Sequence, residues 1–169
     1  MYARQLARRE LSPTRAPGQV KLPGESGVVG VRAIVIYSAE GHLDEIAKGV
    51  ASGIESTGAR VQLLRASEAG ATVPLAPFDL VCVGSPSYGL VKTRIASDVA
   101  PLLKKCTRME GKAAAAFVTP KAIGTATALK ILMALLESQG ARVGDFSALR
   151  DKKTALEFGH RICTLPANR

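Results

Sequence analysis

A chain of 169 residues is the size of one domain, long enough to bury a core without disulfides or metal to help. With 47% hydrophobic and 22% charged residues it has the composition of a soluble globular protein, and no apolar run approaches the ~20 residues of a membrane span. Its net charge of +9 points to acidic partners or an anionic ligand, while four Phe, three Tyr and no Trp argue against a stacking platform for single-stranded nucleic acid.

Residues 1–30 lack hydrophobic periodicity and carry Pro13, Pro17 and Pro23. They read as an extended basic arm, either a flexible tail or a docking arm for a partner. The N-terminal arginines are not followed by the apolar core of a secretory signal, and Glu10 and the scarcity of serine speak against a mitochondrial leader. Cys82, Cys106 and Cys163 stand far apart in apolar stretches, without CxxC or metal-ligand spacing, and read as buried thiols of a cytoplasmic protein.

Residues 32–37 form a continuous β-rich apolar run, the pattern of a parallel strand covered on both faces. Leu43, Ile46, Ala47, Val50 and Ile54 recur at helical spacing, with Asp44 and Glu45 in the first turn and Gly58 as the stop. Partial alternation over 59–65 predicts an edge strand, and 66–77 reads as a connection with at most one helical turn. A second buried strand is expected over 78–84, then an amphipathic helix through Ile95, Val99, Leu102, Leu103 and Cys106. Residues 112–118 read as a strand although Ala113 to Ala116 are all alanine, small side chains that let flanking helices approach closely. A helix over 126–139 ends at Gly140, and a strand over 141–146 and a helix over 153–164 complete the alternation. Five strands and four helices in this order specify an α/β domain over 31–165, a doubly wound parallel sheet with helices on both faces, because parallel neighbours need helical crossovers.

In such a sheet ligands bind beyond the carboxyl ends of the strands, which singles out three loops: 38–43, 85–91 and 119–125. The remaining chemistry is sparse. His42 and His160 are the only histidines, and neither a hydrolase constellation, a metal-ligand cluster, a GxxxxGK[ST] loop nor a GxGxxG turn is present.

From Val31 to Cys163 the chain resembles the flavodoxin family. Ile34-Val-Ile-Tyr-Ser-Ala-Glu-Gly-His-Leu-Asp-Glu-Ile-Ala47 is similar to that family's first strand, phosphate loop and helix start. Val81-Cys-Val-Gly-Ser-Pro-Ser-Tyr-Gly89 is similar to its Gly-[ST]-Pro-x-Tyr segment, and Ala155-Leu-Glu-Phe-Gly159 more weakly to its last helix. The resemblance implies strand order 2-1-3-4-5 and FMN as cofactor. It implies a phosphate site at Ser38, Ala39, Glu40, Gly41, His42 and Leu43. Ser85, Pro86, Ser87, Tyr88 and Gly89 would lie on one side of the flavin ring, and Thr119, Lys121, Gly124 and Thr125 on the other.

The phosphate loop departs from the family pattern [ST]-x-T-G-x-T, since Glu40 and Leu43 stand where two threonines are expected. Each lost hydroxyl donor to a charged acceptor is worth roughly 1.5–3 kcal/mol, about tenfold or more in affinity. Ser38 and Gly41 keep their places. Glu40 either turns outward or serves as an N-terminal helix charge, and His42 is either a donor or a solvated residue at the helix start. Tyr88 is either a stacking partner for the ring or a loop tyrosine packed on Pro86. Lys121 either steadies an anionic reduced ring or is solvated.

Three functions follow from the resemblance: an FMN-carrying electron-transfer protein, a flavodoxin-like subunit or interaction module that has lost FMN, and a flavin-dependent quinone-type reductase. Its partner would be an acidic redox protein or a larger complex, reached through residues 1–30.

Overall fold

The computed structural model describes residues 30–89 and 91–165. The basic arm expected over 1–30 therefore lies outside the described residues, Gly30 excepted. The elements in chain order are β1 (Arg32–Tyr37), α1 (Asp44–Glu55), β2 (Arg60–Arg65), the two-residue β3 (Val73–Pro74), β4 (Leu80–Tyr88) and the two-residue β5 (Arg94–Ile95). After these come α2 (Val99–Lys105), the two-residue β6 (Cys106–Thr107), β7 (Ala113–Thr119), α3 (Thr125–Ser138), β8 (Arg142–Ala148) and α4 (Lys152–Ile162).

The main sheet runs β2-β1-β4-β7-β8 and all four of these pairings are parallel. Leaving the two-residue strands uncounted, this is the expected order 2-1-3-4-5. β2 is an edge strand, as its sequence predicts, and its residues are a mixture of exposed and half-buried with none fully buried. β3 and β6 pair with each other in a separate two-stranded ladder.

Strand alternation divides the core into two layers. Ile34 and Ile36 of β1, Val81 and Val83 of β4, and Ala114 and Ala116 of β7 face α2 and α3, where Leu102, Leu103, Leu132 and Leu136 cover them. Ala33, Val35, Cys82, Ala115 and Phe117 face the other way, against Val50 and Ile54 of α1 and Phe158 and Ile162 of α4. The alanine run thus contributes small residues to both faces of the central strand. The space above Gly84 is filled by Phe117, whose ring meets Phe158 edge-on at 6.3 Å between centroids.

α1 and α4 cross through glycines. A Cβ on Gly53 would lie 2.1 Å from the Leu156 carbonyl oxygen, and one on Gly159 would lie 2.1 Å from that of Val50. This crossing matters for the site because α1 carries the first of the three loops at its N-terminus.

Two of the boundary differences from the sequence reading share one reason. β4 does not end at Gly84 but continues through Ser85, Pro86 and Ser87 to Tyr88, where β5 folds back on it with Ser87 opposite Ile95 and Tyr88 opposite Arg94. Ile95 is therefore strand, and α2 starts only at Val99. The pairing partner lies across a tight turn, so local apolar spacing at 95–106 could not reveal it.

Candidate functional site

The three expected loops converge at the carboxyl ends of β1, β4 and β7. After β1 the chain turns through Gly41 (φ 67°) and His42 (φ 39°) into α1. The left-handed backbone at Gly41 is tied to close packing, since a Cβ there would lie 2.9 Å from Pro86 Cβ and 3.3 Å from the Tyr88 hydroxyl.

Ser38 is buried, and its hydroxyl donates to Asp98 Oδ1 at 2.6 Å. The Ala39 N–H donates to Asp98 Oδ2 at 2.7 Å, and the Glu40 N–H donates to Ser38 Oγ at 2.9 Å. Glu40 reaches in the opposite direction: its Oε1 accepts from the Ser97 N–H at 3.1 Å and from the Ser97 hydroxyl at 2.5 Å. Loop 38–43 and the pair Ser97–Asp98 are therefore clasped reciprocally, each contributing one carboxylate and accepting one.

Leu43 was expected at the phosphate. It is instead fully buried between α1 and the sheet, so its side chain faces the core and not the loop mouth. His42 is exposed beside it. Behind the loop, the Tyr37 hydroxyl donates to Asp44 Oδ1 at 3.1 Å, and Arg65 Nη2 lies 3.3 Å from the Ala39 carbonyl oxygen and 3.7 Å from Asp44. Burial, and after it the bond to Asp44, push the Tyr37 phenol up.

The hydroxyls assigned to the ring are engaged within the protein. Ser85 Oγ donates to the Pro86 carbonyl at 2.9 Å and accepts the Ala96 N–H at 2.9 Å, while Ser87 Oγ donates to the Thr119 carbonyl at 3.0 Å. Both serines are buried within β4. Tyr88 lies between the other two loops: the Lys121 ammonium stands 5.1 Å from its ring centre, a cation–π arrangement, and its hydroxyl is turned toward Glu40. Burial first, then the Glu40 carboxylate, push the Tyr88 phenol up. Gly89 (φ 93°) makes the turn after it, where a Cβ would meet the Lys92 carbonyl. Thr125 Oγ1 donates to the Lys121 carbonyl at 2.9 Å, and a Cβ on Gly124 would lie 2.3 Å from Thr93 Oγ1, so loop 119–125 is packed against the β4–β5 turn.

Sequence reasoning missed Ser97 and Asp98. Their signal, a Ser-Asp pair ahead of an apolar helix, reads as a helix cap. In the structure the Asp98 side chain makes no capping bond to α2 and turns to loop 38–43 instead.

Around this closed centre the end of the sheet is basic. Lys92, Arg94, Lys121 and Arg150 are exposed, and none of them takes part in the ion pairs found among the described residues, which are Lys48–Glu45, Arg65–Asp44 and Arg161–Asp145. Lys121 and Arg150 flank an open pocket of about 380 Å³ with Thr119, Pro120, Ala122 and Leu149. Val91 and Ile123 are exposed apolar residues on the same loops.

Solved structures with the same fold include flavodoxins. The chain matches a flavodoxin from the domain Archaea at TM-score 0.63 and 20% identity, covering 79% of this chain and 96% of that one. The fold is the flavodoxin fold. Flavodoxin 1 from Bacillus cereus, in its oxidised form, matches at TM-score 0.62 and 21% identity over 80% of this chain and 99% of that one. The two-electron reduced flavodoxin of Megasphaera elsdenii matches at 0.65 and 19% over 79% and 98%. No protein-family model matches the chain, and no curated protein does. No helix among the described residues is long and apolar enough to cross a membrane.

The flavodoxin-like resemblance makes FMN the cofactor to test against these residues, and its phosphate does not fit the loop as folded. The Ser38 hydroxyl and Ala39 N–H already hold a carboxylate, and a second carboxylate, Glu40, lies beside them. A phosphate on the same donors would come within a few Å of Asp98. Like unit charges about 4 Å apart repel by about 4 kcal/mol at an effective dielectric of about 20.

Proposed function

We propose that this protein is a flavodoxin-fold binding module that works without FMN, as a subunit or docking partner of a larger assembly. One observation carries the reading: the Asp98 carboxylate is seated on the donors of loop 38–43. The inward use of Ser85 and Ser87 and the position of Tyr88 between Glu40 and Lys121 support it, since they leave few free polar groups for a heterocycle.

The partner is an acidic surface. Glu40, Asp44 and Asp98 at this end of the sheet are engaged internally, whereas Lys92, Arg94, Lys121 and Arg150 are exposed and take part in none of the ion pairs among the described residues, so they present a positive rim. Val91 and Ile123 supply apolar contact within that rim.

The electron-carrier reading draws on a different observation, the match of the fold to flavodoxins described in oxidised and reduced states. One experiment separates the two. An absorbance spectrum of the purified protein, near 370 and 450 nm where flavins absorb, followed by titration of FMN fluorescence, is expected to show no flavin bands and no saturable quenching. Flavin bands, or saturation at micromolar protein, would overturn the module reading and establish the carrier.

A further inference from the structure

We infer that Asp98 is the residue that excludes a phosphate group from loop 38–43, a tethered anion held where the cofactor's charge would otherwise go. The inference rests on the FMN-free reading and names its cause within this chain. A helix N-terminus and the glycine-containing turn before it offer N–H donors that attract an anion. Here two of the loop's donors, the Ser38 hydroxyl and the Ala39 N–H, end on one carboxylate through both of its oxygens, at 2.6 and 2.7 Å. These are the short distances of charge-assisted bonds.

The seat is reinforced from both sides. Asp98 is next to Ser97, whose N–H and hydroxyl are held by Glu40 of the loop itself, so the backbone that carries the carboxylate is tied to the loop. The Asp98 side chain makes no capping bond to α2, so the placement of its carboxylate is not explained by capping that helix. The degenerate loop sequence and the seated carboxylate are then one device: with Glu40 and Leu43 in place of hydroxyl donors, an intramolecular ligand at high effective concentration outcompetes any free phosphate.

The test uses the full chain, the wild type with Asp98→Ala and Asp98→Asn, followed by amide NMR during titration with inorganic phosphate and separately with FMN. In the wild type neither ligand is expected to move the Ala39 amide. In Asp98→Ala both are expected to shift the Ala39 and Glu40 amides in a saturable way, with FMN bound at least about tenfold more tightly than by the wild type, the worth of one recovered hydrogen bond to a charged acceptor. Asp98→Asn keeps one acceptor without the charge and should fall between the two. It also stands in for the alanine variant should that variant lose its dispersed spectrum.

Phosphate shifting Ala39 in the wild type would overturn the inference. So would folded Asp98→Ala and Asp98→Asn proteins as indifferent as the wild type; the FMN-free reading would survive that result. Wild-type protein that binds FMN while its Ala39 amide stays fixed would instead overturn the FMN-free reading and leave the role of Asp98 standing.

Discussion

The glycine crossing of α1 and α4 gives a demanding test of how the loop end is held in place. Replacing Gly159 with alanine puts a methyl 2.1 Å from the Val50 carbonyl oxygen, and Gly53→Ala puts one 2.1 Å from that of Leu156. Ordinary carbon–oxygen contact needs about 3.3 Å, so the helices must separate by roughly 1 Å, a gap that forfeits a quarter to a half of each dispersion contact it opens. The surrounding contacts include Val50, Ile54, Phe158 and Ile162, all fully buried. Overpacking of this kind costs about 3 kcal/mol, while alanine regains about 1 kcal/mol of helix propensity over glycine, leaving a net loss of about 2 kcal/mol. Thermal melts followed by far-UV circular dichroism should show a fall of about 4–8 °C for each variant. Gly49→Ala, where the methyl would meet the Ala155 Cβ at 2.8 Å, should fall less. If Gly53→Ala and Gly159→Ala melted at or above the wild-type temperature, propensity would outweigh contact and the close crossing would be refuted.

Asp151 accepts from the Thr154 N–H at 2.8 Å in a capping box that opens α4, and that bond holds its carboxyl below the ordinary carboxylate range. A depressed folded-state value means the contribution is present above the ordinary value and is lost as pH falls through the folded one. Asp151→Ala should therefore melt below the wild type near neutral pH and converge with it in acid, and a pH-independent difference would count against the cap as the cause. For the basic rim, Lys92→Glu combined with Arg94→Glu should weaken binding of poly-glutamate, a model acidic partner, by about 1 kcal/mol, roughly fivefold in Kd, with a shallower salt dependence. Fluorescence anisotropy reads this directly, and unchanged affinity would remove the rim from the docking surface.

Much of the fold was legible in the chain because burial on both sides of a parallel strand leaves a local mark. The apolar run 32–37, the helical spacing from Ile46 to Ile54 and the edge-like 60–65 each depend only on which neighbours are buried, and they appear as β1, α1 and β2. Phe158 and Gly159, weak as a motif, lie in the α1–α4 packing, where contact demands a residue without a side chain. The three-loop site was also placed by topology, since crossovers bring the same strand ends together whatever the loops contain.

What the loops do with their polar groups depended on tertiary structure. Ser38, Ser85 and Ser87 are donors in any conformation, but whether a ligand or the protein receives their bonds depends on partners dozens of positions away: Asp98 for Ser38, Thr119 for Ser87. Glu40 reads as an outward-turned or helix-start charge until Ser97 is brought to it, and Leu43, which fits both the apolar spacing of α1 and the phosphate-loop pattern, is assigned to the core only by the fold. Hydrophobic patterning is additive along a strand or helix, so the chain alone determined the layered α/β domain. A hydrogen bond is a pairwise, directional contact with a reach of about 3 Å, so only the folded structure could decide that the donors of Ser38 and Ala39 end on the protein's own Asp98 carboxylate.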